Sequence, residues 1–154
     1  MSPPIAAAGP ATRSVTGPVL FFDGECGLCN RLVRFLLRLD RGGHLHFAPL
    51  QGSAAQAYLH THGLPTEEFD TLVYVPAWER RDRPEYLVRT TGVIAALRVI
   101  GTRSALVLAG LVALFPAVLR DTAYRVIGRW RYRVFGPWRP RPLPRVEWSA
   151  QFLD

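Results

Sequence analysis

The sequence predicts a mixed α/β domain, a small sheet flanked by helices in the order β-α-β-α-β-β-α, with a helical extension behind it. Three observations carry that prediction. Pro18-Val-Leu-Phe-Phe-Asp23 is a short, unbroken apolar run ending in Asp-Gly, the pattern of a central strand buried on both faces. Leu28, Leu32, Phe35, Leu36 and Leu39 then step by four, three, one and three, which is a helical stripe. His44-Leu-His-Phe-Ala48 alternates between polar and apolar and reads as a second strand.

The elements follow in order. Gly24 supplies the turn out of the first strand, and Asp40-Arg-Gly-Gly43 stops the first helix, with glycine available for a left-handed residue. Strand, helix and strand make a right-handed crossover unit with parallel strands. Ser53 to His62 reads as a second helix with Ser53 as its cap, and Gly63-Leu-Pro65 ends it. Thr71-Leu-Val-Tyr-Val75 is a third strand, and Glu85-Tyr-Leu-Val-Arg89 a fourth, joined as a hairpin across the charged turn Trp78 to Pro84. Thr91 to Ile100 is a helix closed by Gly101. That order is the thioredoxin-like one. The expected divisions are a disordered leader at 1–17, a thioredoxin-like domain at 18–103, a helical extension packed on it at 104–136, and an irregular Pro- and Arg-rich tail at 137–154.

A length of 154 residues is about one domain, and 49% apolar residues exclude an intrinsically disordered chain. Two cysteines exclude a disulfide-stapled secreted module. The longest nearly uninterrupted apolar run, Ala105 to Leu119, has 15 residues, short of the roughly 18 or more that span a bilayer. The start shows no basic region followed by an apolar one, so the expected location is cytoplasmic. Ala105 to Leu119 reads first as a core helix, with an oligomer surface and a membrane-interface segment as the alternatives. All 19 basic residues are arginine, and the net charge is +7. Residues 120–154 hold eight arginines and three acids, so the excess charge is C-terminal. Arg125, Arg129, Trp130, Arg133 and Trp138 mix basic and aromatic side chains, but no nucleic-acid motif accompanies them, which disfavours nucleic acid as partner. Contact of this arginine-rich segment with acidic headgroups at a membrane surface stays open.

The chemistry sits in Asp23-Gly-Glu-Cys26-Gly-Leu-Cys29. Two residues between the cysteines bring their sulfurs within disulfide reach across one helical turn. Unpaired N–H groups at the start of a helix stabilise a thiolate on the first cysteine. The expectation is that Cys26 is the reactive and more exposed thiol, and that the deeper Cys29 resolves the mixed disulfide. Glu25 opposes that thiolate by like charge. Asp23 has two readings: a turn or cap residue, or a proton acceptor for the pair, desolvated beside Phe21 and Phe22.

Val19-Leu-Phe-Phe-Asp-Gly-Glu-Cys-Gly-Leu-Cys-Asn-Arg31 and Phe47-Ala-Pro-Leu-Gln51 resemble the DCC family, named for Asp-x-x-Cys-x-x-Cys and described as thiol-disulfide oxidoreductase-like. Leu119-Arg-Asp-Thr-Ala-Tyr124 and Arg131-Tyr-Arg-Val-Phe-Gly136 are also similar to it. The resemblance implies a thioredoxin-like fold and maps the motif onto Asp23, Cys26 and Cys29. Thioredoxin-like oxidoreductases carry a cis-proline before the third strand, and here Asp70 or Thr71 stands in that slot.

The sequence thus points to dithiol–disulfide exchange with a protein or small-thiol disulfide, with no diffusible cofactor and no metal. The alternatives are a membrane-surface adaptor, or a binding or scaffold protein whose cysteine pair is structural or holds zinc. In the zinc reading His44 and His46 share one side of a strand and join Cys26 and Cys29 as ligands. His60 and His62, near a helix end, read as solvated.

Overall fold

The computed structural model describes residues 15–67, 71–136 and 151–153. The elements are β1 (Val19–Phe22), α1 (Gly27–Leu39), β2 (His46–Pro49), α2 (Ser53–Thr61), β3 (Val73–Val75), β4 (Leu87–Val88), α3 (Arg89–Ile100), α4 (Arg103–Ala113) and α5 (Ala117–Phe135), with a 3₁₀ turn at Trp78–Arg80. The strands lie in the order β2-β1-β3-β4. β1 runs parallel to β2 and antiparallel to β3, and β3 is antiparallel to β4. This is the thioredoxin-like arrangement that the element order predicts.

Strand alternation sorts the core into two layers. Leu20, Phe22, Phe47 and Tyr74 face one way, onto Val33, Leu36 and Leu37 of α1 and Ile94, Leu97 and Ile100 of α3. Val19, Phe21, Val73 and Val75 face the other way, onto Ala55, Tyr58 and Leu59 of α2 and onto Trp78. Phe21 meets Tyr58 and Trp78 edge-on, with ring centroids 5.5 and 5.7 Å away. β1 is buried along its whole length, as its unbroken apolar run requires.

Several boundaries move. Gly52, not Ser53, is the N-cap of α2. Asp40 ends α1 at a φ of −86° and a ψ of 71°, outside both helical regions, and the left-handed residue is Gly43. The Asp40 carboxylate is buried and accepts from the N–H groups of His44 and Leu45, which fixes the entry to β2. Phe35, expected on the inward stripe of α1, is exposed, because Val33, Leu36 and Leu37 define the buried arc. The chain passes from β4 into α3 without a loop. Arg89 makes that corner at a φ of 55°, with its N–H held by the Thr71 hydroxyl at 3.0 Å. Gly92 lies where α3 crosses the sheet, and a Cβ there would come within 3.2 Å of the Leu87 carbonyl oxygen.

The extension departs from the expectation of one core helix. Gly101 takes the left-handed conformation that closes α3, and Thr102 caps α4 by accepting from the Ala105 N–H. α4 packs on α3, yet only Ala105 and Ala109 are fully buried. Pro116 cannot continue a helix, so the chain breaks after α4 and turns into α5. α5 runs back across α3 and α1. The leader expected at 1–17 lies outside the described residues as far as residue 14. The tail expected at 137–154 does so except for 151–153. There Phe152 pairs with Phe47 on the free side of β2 and Leu153 donates to the Phe47 carbonyl at 2.7 Å.

Candidate active site

The end of β1 and the first turn of α1 build the site. The Cys26 N–H closes a turn onto the Asp23 carbonyl at 3.2 Å. Cys26 is itself the N-cap of α1, and its Sγ accepts the Cys29 N–H at 3.5 Å. A sulfur in that position takes the place of a capping oxygen and faces the positive end of the helix dipole. Both cysteines stand as thiols. The hydrogen bond between the two side chains is the largest influence on each. It holds the Cys26 thiol down at about 6, helped by the backbone N–H bonds and by Arg131, against the opposing effect of burial. It pushes the Cys29 thiol up, with burial and the neighbouring Cys26 adding to the rise. The two thiols therefore differ in acidity, with Cys26 lowered and Cys29 raised.

The expected order of exposure does not hold. Cys26 has no accessible surface, while Cys29 is half-buried. The physical reason lies in the extension. The end of α5 comes down on the start of α1, where the Gly27 N–H donates to the Gly136 carbonyl at 3.2 Å.

Asp23 is buried, and its carboxylate is a hub. Oδ1 accepts from the Glu25 N–H at 3.0 Å and from Gln51 Nε2 at 2.8 Å. Oδ2 lies 3.4 Å from Nη2 of Arg131. The same guanidinium reaches Cys29, with Nη1 3.8 Å from Sγ. One arginine on α5 thus bridges the Asp23 carboxylate and the Cys29 sulfur. Gln51 also accepts the Gly24 N–H through Oε1 at 2.9 Å, and Asn30 Nδ2 donates to the carbonyls of Gly24 and Cys26, each at 2.9 Å. The loop is held from both sides. Glu25 is exposed, where solvent screens its charge.

Thr71 enters β3 beside the site, Asp70 lies outside the described residues, and no described residue has a cis peptide bond. The Tyr124 hydroxyl of α5 accepts the Leu72 N–H there at 3.1 Å. Burial is the main cause of that phenol's raised pKa, to which the Cys29 thiol contributes.

Sequence reasoning placed Asp23, Cys26 and Cys29 and missed Arg131, Gln51, Asn30 and Tyr124 as their supports. The signal for Arg131 was present: it lies seven residues after Tyr124, two turns on and on the same helix face. The four-ligand zinc reading does not survive. His44 lies before β2 and pairs with Asp40 at 3.3 Å, and no three His, Cys, Asp or Glu among the described residues are gathered to hold a metal. His62, expected to be solvated, is half-buried, its ring tilted against Tyr58 with centroids 4.2 Å apart and its Nε2 2.7 Å from the Arg81 carbonyl oxygen.

The pieces that assemble here, at residues 19–31, 47–51, 119–124 and 131–136, are far apart in sequence and meet only in the fold. Comparisons with known proteins cover the same span. YuxK of Bacillus subtilis, an uncharacterized protein, is 31% identical over 142 residues, which is 92% of this chain and 98% of that one. A chloroplastic DCC family protein of Arabidopsis thaliana is 34% identical over 58 residues, 38% of this chain and 34% of that one. No solved structure matches the chain significantly. The profile of the DCC1-like thiol-disulfide oxidoreductases matches residues 20–137, from β1 through the end of the extension that completes the site, and the chain belongs to that family.

Proposed function

We propose that the protein is a thiol-disulfide oxidoreductase in which Cys26 attacks, Cys29 resolves and Asp23 receives the resolving proton. The observation that carries this reading is the Cys26 sulfur at the N-cap of α1, lowered to about 6 by hydrogen bonds it accepts. At pH 7 such a group is about ten parts thiolate to one part thiol. The thiolate attacks one sulfur of a protein or small-molecule disulfide. The substrate disulfide breaks, a mixed disulfide forms on Cys26, and the departing sulfur takes a proton from water. Cys29 then loses its proton toward Asp23, with which it shares the Arg131 guanidinium, and attacks the Cys26 sulfur. The second substrate sulfur leaves as a thiolate. The substrate gains two electrons and the protein ends as the Cys26–Cys29 disulfide, which an external dithiol reduces back. Because Cys26 has no accessible surface, substrate reaches it when the end of α5 lifts and the Gly27–Gly136 hydrogen bond opens. A chain whose only two cysteines form this pair fits a reducing compartment, and we place the reaction in the cytoplasm.

The test is trapping. Cys29→Ser should accumulate mixed disulfides through Cys26, and Cys26→Ser should accumulate few. In the wild-type protein, alkylation of Cys26 should rise as pH passes upward through about 6 and then level off, because the reactive thiolate is lost below that point. An ordinary cysteine rises through about 8.5 instead. Equal trapping by the two variants, or a Cys26 profile centred in the ordinary range, overturns the assignment.

Asp23→Asn tests the proton step. The amide keeps the acceptor for the Glu25 N–H but cannot take a proton at neutral pH. Resolution of the mixed disulfide should slow by roughly a hundredfold, within the span of general base catalysis. A folded Asp23→Asn protein that resolves at the wild-type rate across pH 6 to 9 leaves Asp23 as a loop clamp only.

A further inference from the structure

The outer surface of the extension is apolar where a helix in water is ordinarily polar. α4 buries Ala105 and Ala109 against α3, while Leu106, Val107 and Leu111 on its other side are exposed. The elbow that follows is barer still: Leu114 is 78% exposed, Phe115 60% and Val118 77%. A helix that is apolar all round belongs in a core or in lipid, and this one is half in a core. α5 continues the theme. Leu119, Val126, Ile127, Trp130 and Val134 are exposed, and Arg125, Arg129 and Arg133 step by four along the same helix, all exposed, with Arg133 stacked over Trp130. Asp121 is the one acid on α5.

We propose that the α4–α5 elbow docks on the surface of an anionic lipid bilayer, with Leu114, Phe115 and Val118 seated in the headgroup–acyl boundary and Arg125, Arg129 and Arg133 on the headgroups. Geometry favours lying on the membrane over crossing it. No single helix among the described residues is long and apolar enough to cross, and the two helices that pass together by length and composition are bent by 103° at the break. α4, with 11 residues, is about 16 Å long, roughly half the hydrocarbon thickness. Charge favours lipid over a second copy of the chain. A homodimer through this surface would bring two arginine rows together, whereas an anionic leaflet neutralises them. Apolar contact plus attraction to acidic headgroups is the physics of interfacial helices. This inference uses none of the dithiol chemistry and stands apart from it.

The experiment is flotation of the full-length protein with vesicles of phosphatidylcholine alone and of phosphatidylcholine mixed with phosphatidylglycerol. The protein should float with the mixed vesicles, stay behind with the neutral ones, and be released by salt. Leu114→Ser/Val118→Ser should lower the partition coefficient about tenfold or more, and Arg125→Gln/Arg129→Gln about tenfold or more. Thiol exchange in solution should be unchanged in both variants, which shows that they are folded. Binding to neither vesicle, equal binding to both, or wild-type flotation of both variants overturns the proposal. So does a dimer in solution that Leu114→Ser/Val118→Ser dissolves while vesicles go unbound.

Discussion

Replacing Arg131 with methionine is expected to destabilise the fold by about 3 kcal/mol, the low end of what breaking a buried ion pair costs, and to raise the pH at which Cys26 becomes a thiolate. Arg131 is buried, and its guanidinium serves Asp23 and Cys29 together. Methionine fills similar space without charge, so the loss is electrostatic more than steric. The guanidinium favours the charged form of Cys26, so its removal moves that titration upward from about 6. Urea unfolding reads the first effect, and the pH profile of Cys26 alkylation reads the second. Arg131→Lys keeps the charge but not the two-pronged geometry, and should restore more of the titration than of the stability. A cycle with Asp23→Asn should show strong coupling between the two positions. An Arg131→Met protein with wild-type stability and a wild-type Cys26 profile would remove Arg131 from the site.

Truncation after Gly101 is expected to abolish cooperative unfolding. Ile94, Ala96, Leu97 and Ile100 of α3 form one cluster with Ala105 and Ala109, so the cut bares an apolar face of the domain. The same cut removes Tyr124 from the Leu72 N–H and Arg131 from Asp23. The combined loss is on the order of the whole stability of a small domain, about 5 kcal/mol or more. The truncated chain should bind a hydrophobic dye and melt without a sharp transition. A monomeric fragment that melts sharply would show α4 and α5 to be a separable module.

What the sequence disclosed, and what it withheld, follows from the range of the interactions. β1 announced itself because burial on both faces leaves an unbroken apolar run, and the dithiol because its two residues of spacing are local. The first turn of α1 was legible for the same reason. The identity of the N-cap was not: Asp23 looks like the capping residue, yet Cys26 takes that place and Asp23 turns to Gln51 and Arg131. Such choices depend on partners 28 and 108 residues away in sequence, and no local pattern holds them. The extension misled for a related reason. An apolar run reads as core, but Pro116 divides it, and α3 has room for only one narrow edge of α4. The arginines of α5 read only as a C-terminal excess of charge, and composition alone does not separate the buried Arg131 from its exposed neighbours.

The contact between Arg131 and Cys29 spans 102 positions of the chain. During synthesis at about 5–20 residues per second, Cys29 precedes Arg131 by roughly 5–20 s. For that interval the nascent polypeptide carries both thiols without the guanidinium that favours the thiolate and without the Gly136 carbonyl that meets the start of α1. The motif is translated early but acquires its guard and its arginine late. A ribosome stalled before residue 131 therefore displays a Cys26 that is open to solvent and without the arginine that adds to its acidity, and completion of α5 both covers the sulfur and supplies that charge.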